Sequence, residues 1–301
     1  MKERSGKKGV CILLVLVQAA LYGLGTPLTK QAYASVSPLW CLALRFMLAA
    51  AVMACVGGRR MFAELRAVRA GAWLPAAACM CGAYVCFNVG LDSASATVSG
   101  FLTSLSVVFT PLLARLVHGG RYDRRMIAVQ LAALAGLYLL CGGGGRFCFG
   151  WGEALALASA LFVAGSLVFG EKGLRELSAA AVSFTQLAFT AAACLAMALC
   201  ADGAPRLGQI TLLAWLAIVY LALPSGCLCY WLQNAALRTV PSGVVALAQC
   251  AEPVFTALFS RLLLCESMGA AGYAGSALLL ASILAGSWVN LRGGAADARA
   301  G

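Results

Sequence analysis

The chain contains its own copy. The stretch from Tyr84 to Leu116, YVCFNVGLDSASATVSGFLTSLSVVFTPLLARL, returns later at a constant offset of 146 positions. That offset sets Tyr84 on Tyr230, Asn88 on Asn234, Leu91 on Leu237, Phe109 on Phe255, Thr110 on Thr256 and Arg115 on Arg261. Nearer the start, Ala20, Leu21, Tyr22, Gly25 and Thr26 correspond to Ala160, Leu161, Phe162, Gly165 and Ser166 at an offset of 140. A duplicated sequence builds one unit twice.

The unit is a set of apolar spans. With 62% hydrophobic and 11% charged residues, the chain is far outside soluble composition, where the apolar share is about 45–50%. Spans of about 20 residues suit a hydrocarbon core about 30 Å thick. They are expected over 10–28, 38–56, 71–91, 95–117 and 126–142 in the first copy. The second copy offers 150–169, 179–201, 211–235, 242–264 and 269–291, making ten spans with a glycine-rich joint at 142–145. The expected organisation is a tail over 1–9, a first five-helix repeat over 10–143, a second over 150–291 and a tail over 292–301. Because five is odd, the second copy inserts upside down relative to the first, an arrangement used by transporters that alternate access around a central site. The first span could also be read as a signal peptide, but its match to 160–166 makes it a retained member of the repeat.

Charge placement gives an orientation. With the N-terminus inside, sixteen of the 22 Lys and Arg residues fall on the inner side, among them Arg59, Arg60, Arg66, Arg69 and Arg238. Lys30, Arg146 and Arg206 fall outside, so both termini are expected in the cytoplasm of a cell-membrane protein. The net charge of +11 is read as topology signal facing anionic lipid headgroups, not as a nucleic-acid footprint. Arg115 and Arg261 lie near span ends and are expected to snorkel.

These features resemble the ten-span drug/metabolite transporters built from two EamA-type repeats. The resemblance is carried by Leu21–Ala50, with its Arg45-Phe46 pair, and by AEPVFTALFSRLLLCE, Ala251–Glu266, and it spans residues 10 to 291. Gly120 stands where the second copy has Glu266, and Tyr22 stands where the family usually has tryptophan. The resemblance implies an all-α membrane protein of two inverted five-helix repeats, with a central cavity open to one side at a time. It also implies carriage of small metabolites or drugs, often outward.

Glu252 is the sharpest candidate. It sits about 15 Å along its span, near the membrane midplane, where an acidic side chain costs roughly 2.5–3.5 kcal/mol. Its counterpart is Ser106, so the acid breaks the internal symmetry. Either it contacts a solute or a proton in a cavity, or it is protonated and caps backbone groups freed by Pro253. Gln249 accompanies it one turn earlier. Arg45 stands where the second copy has Gln186 and is read either as an inter-helix or headgroup contact, or as an anionic-substrate contact or gating partner for a carboxylate. Tyr84, Asn88, Tyr230, Gln233 and Asn234 on the third and eighth spans, and Tyr22 and Thr26 on the first, either bond neighbouring helices or line the cavity. Pro27, Pro111, Pro224 and Pro253 each free a backbone carbonyl and are read as kinks or static curvature. Gly23, Gly25, Gly165, Gly275 and Gly286 are read as points of close helix approach.

The fourteen cysteines sit mostly singly in apolar runs and are read as small apolar fillers; His118, in a basic turn, is read as solvent exposed. No HExxH, GxSxG or P-loop occurs and the chain has one histidine, so neither an enzyme nor a cofactor or metal is expected. The expectation is a secondary carrier of neutral, zwitterionic or amphiphilic solutes, with proton coupling through Glu252 as an open possibility. A lipid scramblase or a non-transporting membrane partner protein is the alternative. Partners are the small-molecule substrate and membrane lipids. Substrate identity, direction and oligomeric state are not encoded in any motif found.

Overall fold

The computed structural model describes residues 2–93, 96–119, 124–140, 150–204, 207–264 and 269–300. The joint at 142–145, Gly120, Glu266 and the side chains of Thr26 and Arg261 lie outside the described residues. The described residues form helices α1 (Lys2–Tyr33), α2 (Pro38–Ala67), α3 (Leu74–Ser93), α4 (Ala96–Ser104), α5 (Ser106–His118), α6 (Arg124–Leu140) and α7 (Trp151–Gly173). They continue with α8 (Ala179–Ala201), α9 (Leu212–Ala222), α10 (Cys229–Leu237), α11 (Ser242–Gln249), α12 (Glu252–Leu264) and α13 (Ala270–Ala300). Among the described residues eight helical stretches are long and apolar enough to cross a membrane. Two more, Leu74–Gly90 and Met126–Leu140, are apolar but shorter and fall where the third and fifth spans are expected. Helix α1 starts at Lys2 and includes the basic residues before residue 10.

Local chemistry sets the helix starts. Ser37, Ser178 and Thr211 are extended, and each side chain accepts the N–H three residues on: Trp40, Ala181 and Ala214. These N-caps satisfy donors that have no partner inside a helix.

The spans expected at 95–117 and 242–264 are broken helices. In the second, Cys250 N–H donates to Leu247 C=O at 3.2 Å and Ala251 N–H to Ala248 C=O at 3.1 Å, a tight turn between α11 and α12. Pro253 has no N–H to return to Gln249, which removes the bond that would carry the helix through. In the first copy, Leu105 N–H donates to Leu102 C=O at 3.1 Å and separates α4 from α5. After each break the pattern repeats: Val108 and Phe109 donate to Leu105 C=O, and Val254 and Phe255 donate to Ala251 C=O. Leu105 and Ala251 are repeat equivalents.

Helix contacts follow the duplication. Helix α2 packs on its counterpart α8, and α6 on its counterpart α13. The α3–α7 contact is mirrored by α1 against α9 and α10, and the α5–α7 contact by α1 against α12. Each copy therefore completes its core on the other. Where α6 meets α13 the backbones touch: a methyl group on Gly275 would stand 2.5 Å from Gly136 C=O, and one on Gly136 2.9 Å from Gly275 C=O. Close approach of this kind drives helix association where no hydrophobic effect operates.

Candidate functional site

The polar side chains of the spans gather where α1, α2, α3, α10 and the α11–α12 break converge. Gln18, fully buried on α1, donates to Gln233 Oε1 at 3.0 Å, and Gln249 donates to the same oxygen at 2.8 Å. One amide oxygen thus ties α10 to both α1 and α11. Cys229 Sγ–H lies 3.8 Å from the Gln18 backbone carbonyl, a further link between α10 and α1.

Next to the glutamines stand the tyrosines. Tyr230 donates its hydroxyl to that of its repeat counterpart Tyr84 at 3.2 Å. Tyr22 meets the Tyr230 ring edge-on, with centroids 6.5 Å apart. Tyr84 in turn meets the Phe46 ring edge-on at 4.8 Å. The Arg45 guanidinium lies over both of these rings, 4.8 Å from the Phe46 centroid and 5.0 Å from that of Tyr84. Cation–π attraction of this kind is worth more when the cation is removed from water. Arg45 Nε is buried and has no hydrogen-bond partner. Tyr33 completes this end: its hydroxyl donates to Asn88 Oδ1 at 2.7 Å, while Asn88 Nδ2 donates back along its own helix to Tyr84 C=O at 2.8 Å.

Glu252 is the first residue of α12 and only partly buried. It is not embedded mid-helix as the apolar run 242–264 implies. It opens the half-helix that follows the break, where the positive end of the helix dipole favours a carboxylate. Tyr84 and Cys229 lie within its electrostatic reach. Arg45, Tyr84, Tyr230, Tyr22, Gln233, Gln249 and Glu252 therefore belong to one connected polar and aromatic cluster, the wall of a proposed chamber.

Asn234 does not join it. It is fully buried and donates to Ser183 Oγ at 2.9 Å and Gln186 Oε1 at 2.8 Å. Gln186 passes the chain on to Ser166 Oγ at 3.1 Å. The repeat equivalents of Arg45 and Thr26, Gln186 and Ser166, thus form a helix-to-helix network around α8.

Three chamber residues escape the sequence reading. Gln18 is a lone amide in the first apolar run, and that isolation was its signal. Tyr33 and Cys229 carried none. His118 also differs from expectation: it closes α5, is partly buried and places Nε2 3.9 Å from Glu171 Oε2. Glu171 itself accepts the N–H of Ser242 at the start of α11 at 2.9 Å. At the opposite helix ends, the 34–40 turn is bonded to the α8–α9 connection. Ser37 Oγ donates to Asp202 Oδ2 at 2.5 Å and Trp40 Nε1 to Gly203 C=O at 3.2 Å.

Comparison with known proteins matches this architecture. The profile of the EamA-like transporter family fits the chain twice, over residues 9–142 and 150–287. An uncharacterized transporter of Archaeoglobus fulgidus is 28% identical over 289 residues, covering 94% of this chain and 89% of that protein. A solved protein crystal structure superposes with a TM-score of 0.80 at 20% identity, covering 94% of this chain and 98% of its own. The chain is an integral membrane protein and belongs to the EamA-like transporter family.

Proposed function

We propose that the protein is a secondary transporter of small solutes with ten spans, the short helices Leu74–Gly90 and Met126–Leu140 counting as the third and fifth. On this reading its two five-helix repeats are inverted, both termini are cytoplasmic, and the chamber around Tyr84 and Tyr230 is the solute path. The carrying observation is the pair of breaks at Leu105 and Ala251. Each half contributes one discontinuous span at the equivalent position, and the second break presents Glu252 to the chamber. Discontinuous helices at repeat interfaces expose helix ends to solutes and ions in transporters that alternate access. The self-pairing of α2 with α8 and of α6 with α13 supports a two-fold relation between the halves.

The chamber's chemistry favours a neutral or zwitterionic solute with an apolar body. Tyrosine rings offer apolar faces, amides offer both donors and acceptors, and one carboxylate and one guanidinium supply opposite charges. In this reading Glu252 carries the proton that couples transport. The test is counterflow in liposomes containing the purified protein, with labelled amino acids, nucleosides and polyamines and with empty liposomes as control. Saturable accumulation of one solute supports the reading. Glu252→Gln should then abolish uphill transport while leaving exchange, and an unchanged pH response in that variant refutes the coupling role.

A further inference from the structure

An apolar cleft of about 560 Å³ lies between α2 and the stretch from Leu223 to Trp231, which joins α9 to the start of α10. Met53, Val56 and Gly57 form one wall, Pro224, Cys227 and Trp231 the other, and Ala180 at the start of α8 lies at one end. Two local departures from α-helix flank it. Between α9 and α10 the segment Leu223–Leu228 is π-helical, and Pro224 withholds the N–H that regular pairing would use. Helix α2 breaks at Gly58, whose φ of 57° and ψ of −162° are open to glycine and closed to most side chains.

Past that break, Arg59–Ala67 has the make-up of a helix that lies in a membrane interface. Arg59, Arg60 and Arg66 are exposed, Met61 is buried, and Phe62 meets the Phe184 ring edge-on at 5.2 Å. The wall of the cleft ends at Gly57, and Arg59 and Arg60 follow at the positive end of this short helix. Arg238 is exposed at the end of α10, about two helical turns beyond Trp231. It lies within electrostatic reach of Glu64, which sits 3.8 Å from Arg60. Glu64 offsets only one of the three positive charges of Arg59, Arg60 and Arg238, and its other oxygen accepts the N–H of Ser178 at 3.2 Å.

A membrane-facing apolar slot with cations gathered at one end is complementary to an amphiphile with an anionic head. We propose that the cleft binds one acyl chain of an anionic phospholipid, with the headgroup phosphate against Arg59 and Arg60 and Arg238 beside them. The site needs a lipid and no carried solute, so it stands whether or not the transport reading holds.

The experiment uses the full purified chain in neutral detergent, titrated with phosphatidylglycerol or phosphatidylcholine of matched chains. Retained lipid is read by native mass spectrometry, and chain position by quenching of Trp231 with brominated chains. Phosphatidylglycerol should bind about tenfold more tightly, in keeping with the attraction of two basic side chains for anionic lipid. Arg59→Gln with Arg60→Gln should remove that preference. Arg66→Gln with Arg69→Gln, the same charge change further from the cleft, should leave it intact. Cys227→Phe, which fills the slot, should lower retention of both lipids. Brominated phosphatidylglycerol should quench a component of fluorescence that Trp231→Phe abolishes. Equal affinity for the two headgroups, equal loss in the two double variants, or no quenching at Trp231 overturns the proposal.

Discussion

Gln233 accepts two hydrogen bonds on one oxygen, and this makes the three glutamines of the chamber unequal in a measurable way. Gln233→Leu removes both bonds and strands the amide donors of Gln18 and Gln249. An interhelical hydrogen bond in a membrane bundle is worth about 0.6 kcal/mol on average and up to about 1.7, so the variant should lose about 1–3 kcal/mol. Gln18→Leu removes only one of the two bonds to Gln233, and with it the Gln18 Oε1 atom, which is buried without a partner. Eliminating an unsatisfied buried acceptor returns part of the cost, so this variant should lose about 1 kcal/mol or less. The double variant should be no less stable than Gln233→Leu alone, since the donor that Gln233→Leu strands on Gln18 is then gone. The assay is reversible unfolding of the purified protein in mixed micelles with increasing denaturing detergent, read as a double-mutant cycle. A larger loss for Gln18→Leu than for Gln233→Leu, or strict additivity in the double variant, refutes the shared-acceptor geometry.

Gly275→Val should cost more than about 3 kcal/mol, above the usual overpacking range, because the added atoms meet the Gly136 backbone, which cannot swing aside as a side chain does; thermal unfolding of the purified protein checks this, and a change within about 1 kcal/mol contradicts it. Asn234→Leu leaves Gln186 and Ser183 without their shared donor and should lower stability by about 1–2 kcal/mol while leaving the solute affinity of any transport assay unchanged; a selective loss of affinity would instead move Asn234 into the solute path. Tyr230→Phe removes the hydroxyl contact with Tyr84 but keeps the ring edge-on to Tyr22, so it should weaken solute binding several-fold while lowering the melting temperature little; comparable losses in both would assign the tyrosine pair to packing. On the proposed topology Cys200, exposed near the outer end of α8, should react with a membrane-impermeant maleimide in intact cells and lose one label in Cys200→Ser; labelling that requires permeabilisation reverses the orientation.

Apolar runs and the repeat made the spans legible because burial in lipid demands long hydrophobic helices whatever their partners. The duplication also set Tyr84 and Tyr230 at equivalent positions, while the contact between their hydroxyls came only with the structure. The broken helices were less legible. Pro253 marks one, but Val107 stands at the matching position of the other, and nothing local at Leu105 calls for a turn. The first break comes from packing between halves, which single-span patterns do not contain. Gln186 was read only as the counterpart of Arg45. Its actual partners, Asn234 and Ser166, lie on other helices, 48 and 20 residues away, and hydrogen bonding across helices leaves no periodic trace.

The two breaks carry a further consequence on the inverted arrangement. Two identical inverted halves would make the inward- and outward-open states equivalent by a two-fold rotation and equal in free energy, a degenerate switch resting equally on either side. Every difference between the copies lifts that degeneracy. Glu252 against Ser106, and Arg45 against Gln186, are the charged differences at the chamber and the α2–α8 seam. The resting side of the molecule is therefore written in the mismatch between its halves. Exchanging Glu252 and Ser106 together should reverse the electrostatic bias of the switch while leaving the shared scaffold in place.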